Sequence, residues 1–179
     1  MYKEPMSPDL RYPIGPFSAA AASADVRRRA VADIAAMPDR LAEAVAGLNE
    51  RQLDTPYRPG GWSVRQVVHH IADSHTNAFV RLKLALTEDR PTVNAYDEKQ
   101  FAALADSALP IGVSLELLRG LHARWVAIYE RMSDADWQRM FAHPEYPEPL
   151  TLDWQVQMYG WHSRHHVAHI TALRQREGW

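Results

Sequence analysis

Residues 63–87 read SVRQVVHHIADSHTNAFVRLKLALT, and the spacing of their apolar side chains decides the fold. Val64, Val67, Val68, Ile71, Ala78, Leu82 and Leu86 recur at intervals that keep them on one face of a helix. Ser63 followed three residues later by Gln66 fits a capping box, which predicts a helix from Ser63 to about Thr87.

The same periodicity recurs on both sides of this stretch. From Ala22 to Leu48, Val26, Ala30, Val31, Ile34, Met37, Leu41, Val45 and Leu48 mark one buried face, with Pro38 predicting a kink or break. DTPYRPGGW, residues 54–62, is a turn-rich linker. A third helix is expected from Ser114 to Met132, on Leu118, Leu121, Trp125, Ile128 and Met132, and a last one from Thr151 to about Arg176. Short helical turns are expected at Asp97–Ala105 and Asp134–Met140. No segment alternates with period two, so no sheet is expected. The result is an all-α four-helix bundle in a single domain, residues 1–179, with proline-rich loops and an extended proline-rich N-terminal arm over residues 1–21. The arm is expected to lie on the domain or on a partner subunit. The long crossover between the second and third helices implies one overhand connection.

Composition narrows the function. The formal net charge is -2, and the one basic run, Arg27–Arg29, reads as a solvated helix face, so nucleic acid is not an expected partner. No run of about 18 apolar residues appears, and prolines occupy the place of a signal peptide's apolar segment; no membrane is expected, and the location is read as cytoplasmic. Cysteine is absent, which excludes disulfides, thiolate ligands and a protein thiol nucleophile.

The chemistry-bearing feature is histidine. Residues 161–170, WHSRHHVAHI, hold four of the nine in the chain. His165 and His169, four apart, lie on one helix face at a spacing that can aim two imidazoles at one ion. His162 and His166 form a second such pair, rotated from the first, so spacing alone leaves a metal site and a hydrogen-bonded core edge both open. For a third ligand the helix at Ser63 offers His70, beside the polar edge of Ser63, Ser74, Asn77 and Arg81, and His75, inside the apolar stripe and slightly ahead for depth of burial. His69 reads as a solvated or subunit-contact residue. His122 reads as a packing or supporting residue and His143 as a loop residue without a role. His166 stands where H-E-x-x-H carries its glutamate, which disfavours a zincin-type peptidase.

YRPGGWSVRQVVHHIADSH, the crossover LTEDRPTVNAYDEK, the loop after HPE, and WHSRHHVAHI with the terminal GW resemble the DinB-like superfamily. Within it they resemble the YfiT-type branch of metal-dependent hydrolases and bacillithiol S-transferases, over nearly the whole chain from Arg11 to Trp179. The resemblance implies an up-down-down-up four-helix bundle, usually a homodimer, with one divalent ion per chain, zinc ahead of nickel. It implies His70, His165 and His169 as ligands, overruling the preference for His75, and leaves His75, His162 and His166 as supporting candidates. Three neutral nitrogen ligands leave an open position, the pattern of catalytic zinc.

The expected activity is transfer of a low-molecular-weight thiol such as bacillithiol to an electrophilic small molecule. No carboxylate stands beside the ligands in sequence as a base for water, and Asp73 reads as surface. Alternatives are a metal-dependent hydrolase using metal-bound hydroxide and a non-enzymatic metal-binding dimer in stress response.

Overall fold

The computed structural model describes residues 9–179. Four long helices are joined by short elements: α1 Ala24–Val45, α2 Glu50–Leu53, α3 Val64–Thr87, α4 Glu98–Phe101, a 3-10 turn at Ala105–Ala108, α5 Gly112–Tyr129, α6 Asp134–Trp137 and α7 Leu152–Glu177. Between α6 and α7 two short strands, β1 Met140–Phe141 and β2 Leu150–Thr151, pair antiparallel with Met140 opposite Thr151. This small hairpin corrects the expectation of no sheet; strands this short carry too few residues to show alternation.

α1 packs on α5 and α7, and α3 packs on the same two helices. The successive long helices α1 and α3 therefore sit on a diagonal of the bundle, and the segment 46–63 crosses it. The capping box on α3 forms as expected: Ser63 Oγ accepts from Gln66 N at 3.2 Å, and Gln66 Oε1 accepts from Ser63 N at 3.1 Å. Ile34, Leu41, Val64, Val68, Ile71, Leu82, Leu118, Trp125, Val156 and Ile170 are fully buried, so the apolar stripes meet in one core. Burial of this apolar surface is the main term holding the bundle together.

Two expectations are corrected here. Of the kink or break expected at Pro38, the break does not occur: Pro38 is buried inside a helix that continues to Val45, because the tertiary contacts of both halves outweigh one missing backbone bond. Arg27 is not a solvated member of its run: its guanidinium pairs bidentately with the buried Asp153 at the start of α7, at 2.7 and 2.8 Å. Arg28 and Arg29 are exposed as expected.

α7 approaches α1 closely at Gly160, where a Cβ would lie 3.0–3.2 Å from atoms of Ala30. Its outer side is covered by residues 9–21 of the N-terminal arm, which lie on their own domain; residues 1–8 of the expected arm lie outside the described residues. Trp161 Nε1 donates to Gly15 O at 3.1 Å, the Gln157 amide exchanges two hydrogen bonds with the Ala20 backbone, and Phe17 meets Trp154 edge-on. α7 is thus buried on two sides, which is how one helix hides His165, His166 and His169 and half-buries His162. No helix is long and apolar enough to cross a membrane among the described residues.

Candidate metal centre

His70 sits on the second turn of α3, and facing it across the bundle are His162 and His166, one turn apart on α7. Ring nitrogens from these three lie within 4.8 Å of one another. His162 Nε2 and His166 Nε2 are 3.1 Å apart. A second compact group, His165, His166 and His169, shares His166.

The structure does not bring His70, His165 and His169 together as one group; only His70 of that expected set faces the pair on α7. The pair that meets it lies three residues earlier than expected, a rotation of about 60° around the helix, and that rotation turns His165 and His169 under the arm. His165 stacks on Trp161 at 4.2 Å, and its Nδ1 is buried without a hydrogen-bond partner. His169 stacks on Tyr57 at 4.0 Å, and its Nε2 donates to Arg11 O at 3.0 Å.

His75 is the buried, hydrogen-bonded histidine its place in the stripe suggested, 2.9 Å from His122 Nε2 through Nδ1 and 3.0 Å from His162 Nδ1 through Nε2. His122 in turn donates from Nδ1 to Ile34 O at 2.6 Å. His69 is a correction: it is buried, bound to Ser114 Oγ at 2.7 Å and to Leu109 O at 3.0 Å, because the crossover folds back over that side of α3. His143 is also buried rather than idle, at the edge of a cavity described below. Asp73 is half-buried, with burial raising its carboxyl pKa, and borders neither cavity at the histidines.

Burial keeps the cluster neutral. It pushes His70 down to about 4, with His169 adding to the effect, and holds His162 and His166 well below the usual imidazole range. Neutral rings keep a lone pair available, as a metal ligand must. Two nitrogens on one tetrahedral ion at about 2.0–2.1 Å stand about 3.3 Å apart, close to the separation of the His162 and His166 Nε2 atoms. The donor set therefore fits a divalent ion.

Two cavities open on this cluster, and His70, His162 and Glu98 border both. One, of about 170 Å³, is walled by Phe141, Tyr146, Leu150, Trp154 and Met158 on one side, with Arg81, His143 and Glu145 also lining it. The other, of about 440 Å³, has Arg11, Arg58 and Lys99 at its rim with Tyr57 and Trp62. Trp62 also packs on His70 at 4.5 Å between ring centres. Glu98, Arg58, Tyr57 and Trp62 went unnoticed in the sequence because they sit in loops or a four-residue helix, where periodicity says nothing. The available signal was YRPGGW itself: two aromatic residues bracket a turn closed by Tyr57 N to Trp62 O at 3.0 Å, with Gly60 at φ 66°, which favours glycine.

A helical bundle in which two buried histidines and one half-buried histidine converge beside two cavities is the class of fold that can hold a metal ion in its core. The family follows from comparison: residues 33–170 match the DinB superfamily, and the chain belongs to it. A Bacillus mycoides protein named "Putative metal-dependent hydrolase" is 48% identical over 172 residues, 96% of this chain and 99% of its own. A Bacillus cereus protein of the same name is 47% identical over the same coverage. The solved structure described as "YfiT from Bacillus subtilis is a probable metal-dependent hydrolase with an unusual four-helix bundle topology" superposes with a TM-score of 0.92 at 45% identity, covering 95% of this chain and 98% of that one. The DinB-like four-helix bundle expected from the sequence is thereby established.

Proposed function

We propose that the protein is a divalent-metal enzyme whose ion is held by His70, His162 and His166, and that it transfers a low-molecular-weight thiol to an apolar electrophile. The observation that carries this is the pair of cavities that meet at one histidine edge, the smaller with an aromatic side and the larger with three cationic side chains. Zinc suits three neutral imidazoles with an open position, and nickel is the next choice. When bound, the ion supplies Lewis acidity, lowering the pKa of a thiol or water that reaches the open position.

The chain's own residues do the rest. Arg11, Arg58 and Lys99 give the larger cavity a cationic rim suited to a thiol carrying carboxylates. The aromatic side of the smaller cavity takes the apolar part of the electrophile, with Arg81 and Glu145 within reach of its polar part. Glu98, an exposed carboxylate bordering both, is the proposed acceptor of the thiol proton. The sulfur lone pair forms the new S–C bond, and the leaving group departs with the electrons of the bond it gives up. A chain without cysteine leaves the nucleophile to come from solution.

Hydrolysis is the second reading, favoured by the names of the relatives and by Glu98 as a proton acceptor for water. An assay separates the two: zinc-loaded protein with bacillithiol or glutathione against a chlorinated aromatic, and without thiol against an ester. Saturating, thiol-dependent turnover lost in His162→Ala is expected. Thiol-independent ester cleavage lost in the same variant, with no thiol transfer, sinks the transferase and leaves the hydrolase.

A further inference from the structure

We propose that Pro38, Ile34, His122 and His75 form a positioning chain that fixes His162 in the one tautomer able to bind a metal through Nε2. The inference rests on the metal assignment above. The residue that starts the chain, Pro38, lies on a different helix from all of the ion's proposed ligands.

The order of protons follows from one fixed end. In an α-helix the carbonyl of residue 34 normally accepts from the N–H of residue 38. Proline has no N–H, so Ile34 O inside α1 is released from that bond. His122 Nδ1 lies 2.6 Å from it. A carbonyl only accepts, so His122 must carry its proton on Nδ1.

A neutral imidazole has one N–H, which leaves His122 Nε2 as an acceptor. His75 Nδ1, 2.9 Å away, must then be the donor, leaving His75 Nε2 bare. His162 Nδ1, 3.0 Å from that atom, must donate to it. The lone pair of His162 is thereby forced onto Nε2, the atom that faces His166 Nε2 at 3.1 Å.

The same logic runs in from the other side. Arg11 O accepts from His169 Nε2 at 3.0 Å, so His169 Nδ1 accepts from His166 Nδ1 at 3.3 Å, and His166 also presents a bare Nε2. Two lone pairs aimed at each other at 3.1 Å repel unless a positive charge lies between them. Both chains thus converge on a place that calls for a cation. A network built only to satisfy buried polar groups has no need to end with two acceptors face to face.

The test uses the full chain with ¹⁵N-labelled histidine, read by long-range ¹H–¹⁵N correlation in the metal-free and zinc-loaded states. His122, His75 and His162 are expected to carry their protons on Nδ1 in both. His122 or His75 found protonated on Nε2 alone overturns the proposal, whatever the metal content. If no zinc binds, the metal assignment fails, while the tautomers of His122 and His75 in the metal-free protein still decide the chain.

Variants add an energetic readout. His122→Leu removes the fixed donor and acceptor, and zinc affinity is expected to fall by about 10–100-fold, as for other losses behind a ligating histidine. His122→Gln, whose amide can donate to Ile34 and accept from His75, is expected to restore most of it and keep the His75 tautomer. Unchanged zinc affinity in a folded His122→Leu protein overturns the proposal; should that variant not fold, the wild-type spectrum stands as the deciding measurement.

Discussion

The two imidazole chains that meet at His162 and His166 end in opposite surroundings. One ends on Ile34 O, in the middle of a buried helix face; the other ends on Arg11 O, in an arm whose residues are largely exposed. The first forms when α1, α3, α5 and α7 pack, and cannot be undone without opening the core. The second depends on the arm's attachment through a few contacts such as Trp161 to Gly15. One of the two facing histidines is oriented by the fold itself, the other by a strap laid over it.

The largest effect breaks the comparison at its meeting point. His162→Ala or His166→Ala should lower bound metal from about one ion per chain to none, whereas His165→Ala, which removes a ring stacked on Trp161, should keep it. Elemental analysis of the purified variants checks this. An empty His165→Ala protein beside a full His162→Ala protein would return the site to the His70, His165 and His169 set.

Next comes the core chain. His75→Leu interrupts it and leaves His122 Nε2 and His162 Nδ1 without their partner, so metal affinity should fall about 10–100-fold. The metal-free protein should also lose about 1–3 kcal/mol, read by denaturant titration.

A pH series sharpens the contrast between buried and exposed ends. Burial pushes His122 down to about 4, against which its bond to Ile34 O acts in the raising direction. Unfolded, the ring titrates near 6.5. The unfolded state therefore binds more protons between these values, and stability, complete above about 6.5, declines as pH falls towards 4. Each such histidine contributes a slope approaching about 1.4 kcal/mol per pH unit within that window. Thermal melts of metal-free protein at pH 7.5, 6 and 5 should show it, and a flat profile would contradict the buried, neutral chain.

The smallest effect is expected at the arm. Removing residues 1–15 deletes Arg11 O and the Gly15 anchor but leaves the core chain intact, so zinc affinity should drop by about 10-fold or less, chiefly through faster release. Competition with a chromophoric chelator gives both quantities. A loss as large as that of His75→Leu would mean that the two chains are equivalent.

The long helices were legible in the sequence because each buries one face, and a 3.6-residue period survives any neighbour. Ser63 and Gln66 announced the start of α3 for an equally local reason. The histidine pair that faces His70 was not legible in the same way. WHSRHHVAHI contains two i, i+4 histidine pairs, and only the direction of α3 tells which one looks inward; that direction is a tertiary fact. His69 misled because the crossover covers a side of α3 that the periodicity marks as polar. Pro38 shows in the sequence only the bond it cannot make; that the carbonyl it frees takes a donor from another helix is a tertiary fact.

The arm's position has a practical side. Arg11 lies against His169, so anything fused ahead of Met1 is tethered ten residues from the histidine cluster, a span of at most about 36 Å when fully extended. A polyhistidine tag placed there is held at an effective local concentration of order millimolar and competes with His70, His162 and His166 for the same ion. Metal stoichiometry measured on such a fusion counts the tag together with the protein, and only cleaved or untagged chain reports the site alone.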